Sequence, residues 1–452
     1  MSNAKPRRRS IFGGLVLILL GLLFLANNLN RDLRIWELFY RYWPVLLIIW
    51  GLAKLFDYFA SRRTGEASPP TFSGGEFFLL LLILIAGGAL TTAGEFGRRV
   101  DWEGLPPWIR GTPYTFTVEA KAENVKPESR VSISVERGDI HVLPEDSTEI
   151  RVVAKKTVTT SDREEEARRR ADDVRVDIVS IPDGYEIRQT DRYSAQGRIR
   201  LDLEVHLPKK MSIEARTNRG NITINGLAGS VNLISRSGDV EIRDVAKDIE
   251  VQMTRGDCRV TDAKGNVRVT GRGSEIEIAD VQGEATVEGE FSGLRFTRVR
   301  KGLRFLSQRT DLTVGELAGR LELASGDLDL TDVRGNVSLT TRNKDIRMEN
   351  VAGRITIHNR RGNVELRLAE APKQEIEVEN ESGSVELNLP ASSAFEIKAS
   401  SRNGDVESDF SGPELKKTEE QRTQKLEGKV GDRGPQIRLQ TTYGSVHLRK
   451  AS

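Results

Sequence analysis

Few residues in this sequence invite a chemical reading. They are one cysteine, Cys258; four histidines, His141, His206, His358 and His447; and two Arg-Gly-Asp triplets, at 137–139 and 255–257. One cysteine excludes an intramolecular disulfide framework and any site built from several thiolates. None of the histidines has another histidine or a cysteine at metal-ligand spacing, so they read as surface or turn residues. The triplets suggest recognition of an integrin type, but RGN, SGD and SGS stand at equivalent places in the chain, so a repeated turn explains both. A glycan-cleaving site needs two placed carboxylates, usually with aromatic platforms. The repeated region has no tryptophan, Phe296 and Phe305 fall in interior columns, and the acids recur as repeat positions instead of converging. No residue is therefore assigned a catalytic, cofactor-binding or metal-ligating role, and no cofactor is expected.

The elements around these residues explain them better than chemistry does. From residue 219 onward the turns RGNITI, SGDVEI, RGDCRV, GSEIEI, SGLRF, RTDLTV, SGDLDL, NKDIRM and RGNVEL recur. They place Ile222, Val240, Cys258, Ile276, Leu294, Leu312, Leu328, Ile346 and Val364 in one apolar column with steps of 18 residues, save one step of 16. A second column, Ile224 to Leu366, follows two residues later, and alternation at period two means strands with one buried face. Each period holds another strand, from LAGSVNL (227–233) to VAGRITI (351–357). The expected fold is an all-β parallel solenoid of 18-residue coils with two strands per coil. On this reading Cys258 is a small buried hydrophobe. Gly220, Gly238, Gly256, Gly326 and Gly362 supply positive φ at corners, the Asp or Asn after each bonds the turn, and Lys344, Ser274 and Thr310 depart from the glycine pattern. The 16-residue step is placed in a shortened turn between Leu323 and Leu328. Outward positions such as Glu241, Arg243, Glu250, Arg259, Arg268, Glu277, Asp329, Arg347 and Glu365 mix both signs.

The expected organisation is a membrane anchor at 1–95, a linker at 96–112, an N-terminal β region and cap at 113–216, regular coils at 217–370 and irregular coils at 371–452. The N-terminal region contains a charged, solvated segment, a helix or a loop, with Ser161 or Asp162 as N-cap. The C-terminal coils carry a polar insertion at 412–436, expected to be mobile. The first quarter of the chain is different material. It holds all five tryptophans and three apolar runs, about 11–29, 43–59 and 77–93, long enough to be transmembrane helices. Lys5, Arg7, Arg8 and Arg9, with Arg62, Arg63 and the nearby Lys54, outweigh Arg31, Arg34, Arg41, Arg98 and Arg99 closely enough to set only a modest bias toward an inside N-terminus. Three spans then place everything after residue 94 outside a cytoplasmic membrane. The near-balanced net charge of +2 argues against nucleic acid as a partner.

The S/R-G-D/N-V-x-V turns, entered through LDLEVHLPKKMSIEARTNRGNITI, resemble the candidate adhesin domain of bacterial envelope proteins grouped with LiaG-like proteins. The stretch IFGGLVLILLGLLFLANNL followed by WPVLLIIWGL resembles the transmembrane region of LiaF-like envelope-stress proteins. The resemblance implies a surface-associated domain and brings no catalytic residues. The expectation is a multi-pass, non-enzymatic envelope module held by the lipid bilayer, with envelope proteins or glycans as partners. The alternatives are a self-assembling scaffold and, behind it, a polysaccharide-active enzyme.

Overall fold

A computed structural model describes residues 112–160, 163–191 and 199–451. The three expected spans lie outside these residues. Among the described residues no helix is long and apolar enough to cross a membrane.

Alternating apolar and polar residues build two facing walls. On the first wall Ile222–Leu227 (β9), Val240–Val245 (β11), Cys258–Ala263 (β13) and the second halves of Val267–Val281 (β14) and Glu284–Val299 (β15) pair in parallel. Ile222, Val240, Cys258, Ile276 and Leu294 thereby form one buried column. On the second wall Ser212–Arg219 (β8), Val231–Ser235 (β10), Ile249–Met253 (β12) and the first halves of β14 and β15 align Ile213, Val231, Ile249, Val267 and Ala285. Both columns face the space between the walls. Each large side chain buried there contributes roughly 1.5–3 kcal/mol relative to exposure, so registry on both walls is strongly enforced.

The expected uninterrupted winding does not hold. After Gly302–Leu306 (β16) the chain turns back: Thr310–Val314 (β17) runs antiparallel to β16, with Leu312 opposite Phe305, and antiparallel to Val337–Asn343 (β20), with Leu312 opposite Leu339. Leu317–Leu323 (β18) then lies antiparallel to β15 and to Asp327–Val333 (β19), so that Leu323 stands between Leu294 and Leu328. One coil is wound backwards between two hairpins. Leu312 therefore belongs to the second wall, and the 16-residue step is a hairpin rather than a shortened corner. Period-two alternation buries the same residues whichever way a strand runs, which is why the reversal is silent in the repeat pattern. Parallel stacking resumes through Asp345–Val351 (β21), Val364–Arg367 (β23) and Val385–Pro390 (β25) on the first wall. On the second wall it resumes through Ile355–Arg361 (β22) and Ile376–Ser382 (β24).

Both ends are interleaved. Arg130–Arg137 (β2) and Ile140–Glu145 (β3), an early coil in sequence, lie between β8–β9 and a later coil, Gly184–Asp191 (β6) with Ile199–Pro208 (β7). At the other end Gln436–Tyr443 (β30) and Val446–Ala451 (β31) slot between β24–β25 and the coil of Phe395–Ser401 (β26) and Val406–Ser408 (β27). Antiparallel strands finish the stack: Thr112–Ala122 (β1) and Ile150–Thr160 (β4) extend β7, and Val174–Ile181 (β5) pairs with β6. The segment expected to be a mobile insertion forms the hairpin Lys416–Glu420 (β28) and Thr423–Val430 (β29), which pairs with β26 and buries Leu426. It reads as polar because a terminal hairpin buries little besides that one leucine.

The helix Glu164–Asp172 (α1) is also more than a solvated face. Ala167 and Ala171 pack on Val158 with Tyr114, Phe116 and Ile199, and Lys156 Nζ donates to the Ala171 carbonyl at 2.9 Å. Its N-cap is Arg163, without a side-chain cap bond; Ser161 and Asp162 lie outside the described residues.

Candidate interaction surface

The corners account for the residues that looked chemical. Gly238 has φ +141°, and a Cβ there would stand 2.0 Å from the Gly220 carbonyl oxygen, so both its conformation and the coil beneath it require glycine. Gly326 is different from expectation: it sits in the β18–β19 hairpin without a left-handed φ, and nothing lies within 4 Å of its Cβ position. The acidic or amide residue after each corner glycine reaches along the stack, not into its own turn. Asp139, Asn221, Asp239 and Asp257 each accept a backbone N–H from the next coil at 2.8–3.0 Å. The opposite corner repeats the device through Asp248, Asn266 and Asn336. Both Arg-Gly-Asp aspartates are thus members of a ladder, and Asp139 is further held by Arg200.

A second backbone feature went unread in the repeat. Asp244, Asp262, Asp280, Asp332 and Asn350 all take left-handed φ of 51–58° before the strand end. Asp and Asn tolerate that region best among residues with a side chain, and the recurring Asp-Val before each glycine was its signal. Arg298 takes the same place with φ 49° and clamps Asp280 through two hydrogen bonds, which hold that carboxyl below the usual range.

Cys258 is 1% exposed, and burial pushes its thiol up to about 12, which keeps it protonated and inert. His206 lies between Glu145 and Glu204, His358 meets Glu379 at 3.0 Å, and His447 meets Glu407 at 3.2 Å; His141 is exposed on the first wall. The structure brings none of the four together. Among the described residues no group of His, Cys, Asp and Glu has metal-holding geometry.

What the molecule presents outward is charge in register. Glu241, Arg259, Glu277, Arg295 and Glu322 stand on successive strands, with Arg259 bonding Glu277 at 2.8 Å and Arg295 bonding Glu322 at 2.7 Å. Arg347 lies 3.4 Å from both Asp329 and Glu365. Hydrogen bonds from Arg320 and Arg295 lower the Glu322 carboxyl, and the Glu277 bond raises the Arg259 guanidinium. Exposed pairs of this kind contribute about 0–1 kcal/mol each. Their effect is to leave most of the rod locally neutral.

The family described as Toastrack DUF4097 matches residues 128–449, and the family described as LiaI-LiaF-like transmembrane region matches residues 11–55. Distant solved structures include a candidate cell adhesion protein from Clostridium sporogenes, with 8% identity over 75% of this chain and 100% of that one and a TM-score of 0.17. They also include candidate adhesins from Bacteroides fragilis, at 9% identity, 75% and 97% coverage and a TM-score of 0.22, and from Parabacteroides merdae, at 8%, 76% and 97% and 0.17. No curated protein matches the chain.

Proposed function

Because this chain belongs to the Toastrack DUF4097 family, we propose that it is a membrane-anchored, non-enzymatic interaction module of the bacterial cell envelope. The observation that carries the reading is the succession, in one chain, of a LiaI-LiaF-like transmembrane region at 11–55 and the solenoid domain at 128–449. In this reading residues 1–95 cross the cytoplasmic membrane three times, 96–112 form a linker, and the two-walled stack stands on the extracytoplasmic side, meeting envelope proteins or glycans. The surface supports a docking role: its rows of paired charges, spread over both walls, suit a broad and weak interface better than one small ligand. Antiparallel strands at both ends fit end-to-end stacking poorly, so the scaffold alternative gains no support.

The test is protease digestion of intact right-side-out cells or spheroplasts. Cleavage within residues 112–452 without permeabilisation is the expected result. Protection until lysis would put the solenoid inside the cell and overturn the proposal.

A further inference from the structure

One outward row breaks the pairing pattern. On the second wall Thr310 pairs with Thr341, where that antiparallel register ends; Arg309, in the turn just before β17, and Arg342, just after Thr341, line the same recess. Arg360 holds the same place on the next strand, between the pairs Thr341↔Asn359 and Asn343↔Arg361. Two exposed arginines, Arg342 and Arg360, thus stand on neighbouring strands roughly 4.8 Å apart, and the exposed Arg309 lies in the turn that leads into the strand on the other side of β20. Arg360 bonds Glu381 at 3.0 Å. The side chains of Arg309 and Arg342 have no hydrogen-bond or ion-pair partner among the described residues. Like charges on neighbouring strands destabilise a sheet, and on the first wall Arg259, Arg295 and Arg347 each face a carboxylate. The row borders a recess of about 520 Å3 whose lining includes Thr340, His358, Gln440 and Thr442, together with the carboxylates of Asp311, Glu379 and Glu381, of which Glu379 meets His358 and Glu381 meets Arg360.

We propose that this row is an oxyanion-binding site for an acidic glycan, with Arg309 and Arg342 gripping a carboxylate or phosphate and the hydroxyl and amide groups of Thr340, Gln440 and Thr442 meeting sugar hydroxyls. Guanidiniums bind such groups bidentately. The polar lining favours a sugar over a peptide, which would need apolar pockets for its side chains. The choice of a glycan rests on the envelope reading above; the anion site itself rests on the unpaired arginines.

The full chain in nonionic detergent is titrated calorimetrically with tetragalacturonate, a glycerol-phosphate tetramer, maltotetraose and tetraglutamate. One of the first two binds at least tenfold more tightly than maltotetraose and tetraglutamate, which also tells a carboxylate source from a phosphate one, and salt weakens it. The double variant Arg309→Ala/Arg342→Ala loses at least tenfold, whereas Arg259→Ala stays within twofold. Because the repulsion goes with the charge, Arg342→Thr leaves the melting temperature unchanged or higher. Equal binding of maltotetraose, tighter binding of tetraglutamate, undiminished binding by the double variant, or a lower melting temperature in Arg342→Thr would each overturn the proposal. Protease protection in cells with binding intact removes the envelope reading alone; surface exposure without binding removes the anion site alone.

Discussion

At the scale of single residues, glycine has two unrelated jobs in this chain, and sequence pattern does not separate them. Gly238 and Gly326 are both followed by aspartate in the same SGD turn. Only Gly238 is pressed against the coil below with a left-handed φ. Gly238→Ala is expected to cost roughly 2–5 kcal/mol, from backbone strain plus steric overlap. Gly326→Ala, which meets open space, should stay within about 0.5 kcal/mol of the parent. Urea unfolding of the two variants checks this contrast; similar losses in both would mean that the hairpin assignment at residues 323–328 is wrong. Cys258 was legible from the start, because its place in a Val and Ile column already required a small apolar neighbour. The ladder of Asp139, Asn221, Asp239 and Asp257 was legible in composition but not in direction. A side chain that bonds the next coil's backbone looks, in sequence, like one that bonds its own turn.

At the scale of elements, the reversed coil is held by a residue that breaks the repeat. Lys344 takes the place where other turns have glycine, and its ammonium donates to the carbonyls of Ala324 and, at 2.8 Å, Ser325 in the β18–β19 hairpin. Lys344→Met removes the hydrogen bonds that the ammonium gives to these two carbonyls and is expected to cost about 1–3 kcal/mol at neutral pH. Burial lowers the Lys344 ammonium below 10.5, with Asp327 opposing the shift and Arg309 adding to it. The folded state therefore gives up this proton before the unfolded state does. Between the folded value and 10.5 the unfolded chain binds more protons, so stability contributed by this group rises with pH. Lys156 shifts the same way through burial and leaves part of that slope in place. Urea midpoints from pH 8 to 10.5 should rise less steeply in Lys344→Met than in the parent. Parallel curves would show that Lys344 is solvated in the folded protein.

At the scale of the whole molecule, the two interleaved ends decide what a truncation does. In a simple solenoid, removing the last coil exposes one neighbour and leaves the rest stacked. Here the last coil in sequence, β30–β31, separates β24–β25 from β26–β27 and pairs with both. Deleting residues 436–452 therefore empties an interior layer and strands the β28–β29 hairpin with the coil it covers. The expected outcome is loss of cooperative unfolding in the C-terminal coils and rapid proteolysis around residues 395–430, read by circular dichroism and limited digestion. A truncated chain that still melts in one transition and resists protease would contradict the interleaved order. The same topology joins residues far apart in the chain, with Ile437 paired to both Ile376 and Ile397, and such non-local pairing slows folding.

The sequence alone determined the local chemistry of this protein: two strands per coil, which residues face inward, an inert Cys258, and apolar N-terminal runs set apart from a polar repeat. These follow from alternation and composition, which act over a few residues. Only the tertiary structure decided the direction of β17 and β18, the order of coils at each end, the folding of residues 412–436 into a capping hairpin, and the row of Arg309, Arg342 and Arg360. Each of these depends on which strand lies beside which. A buried face is satisfied equally by a parallel or an antiparallel neighbour, so hydrophobic pattern leaves the choice open, and hairpin turns and distant pairing make it.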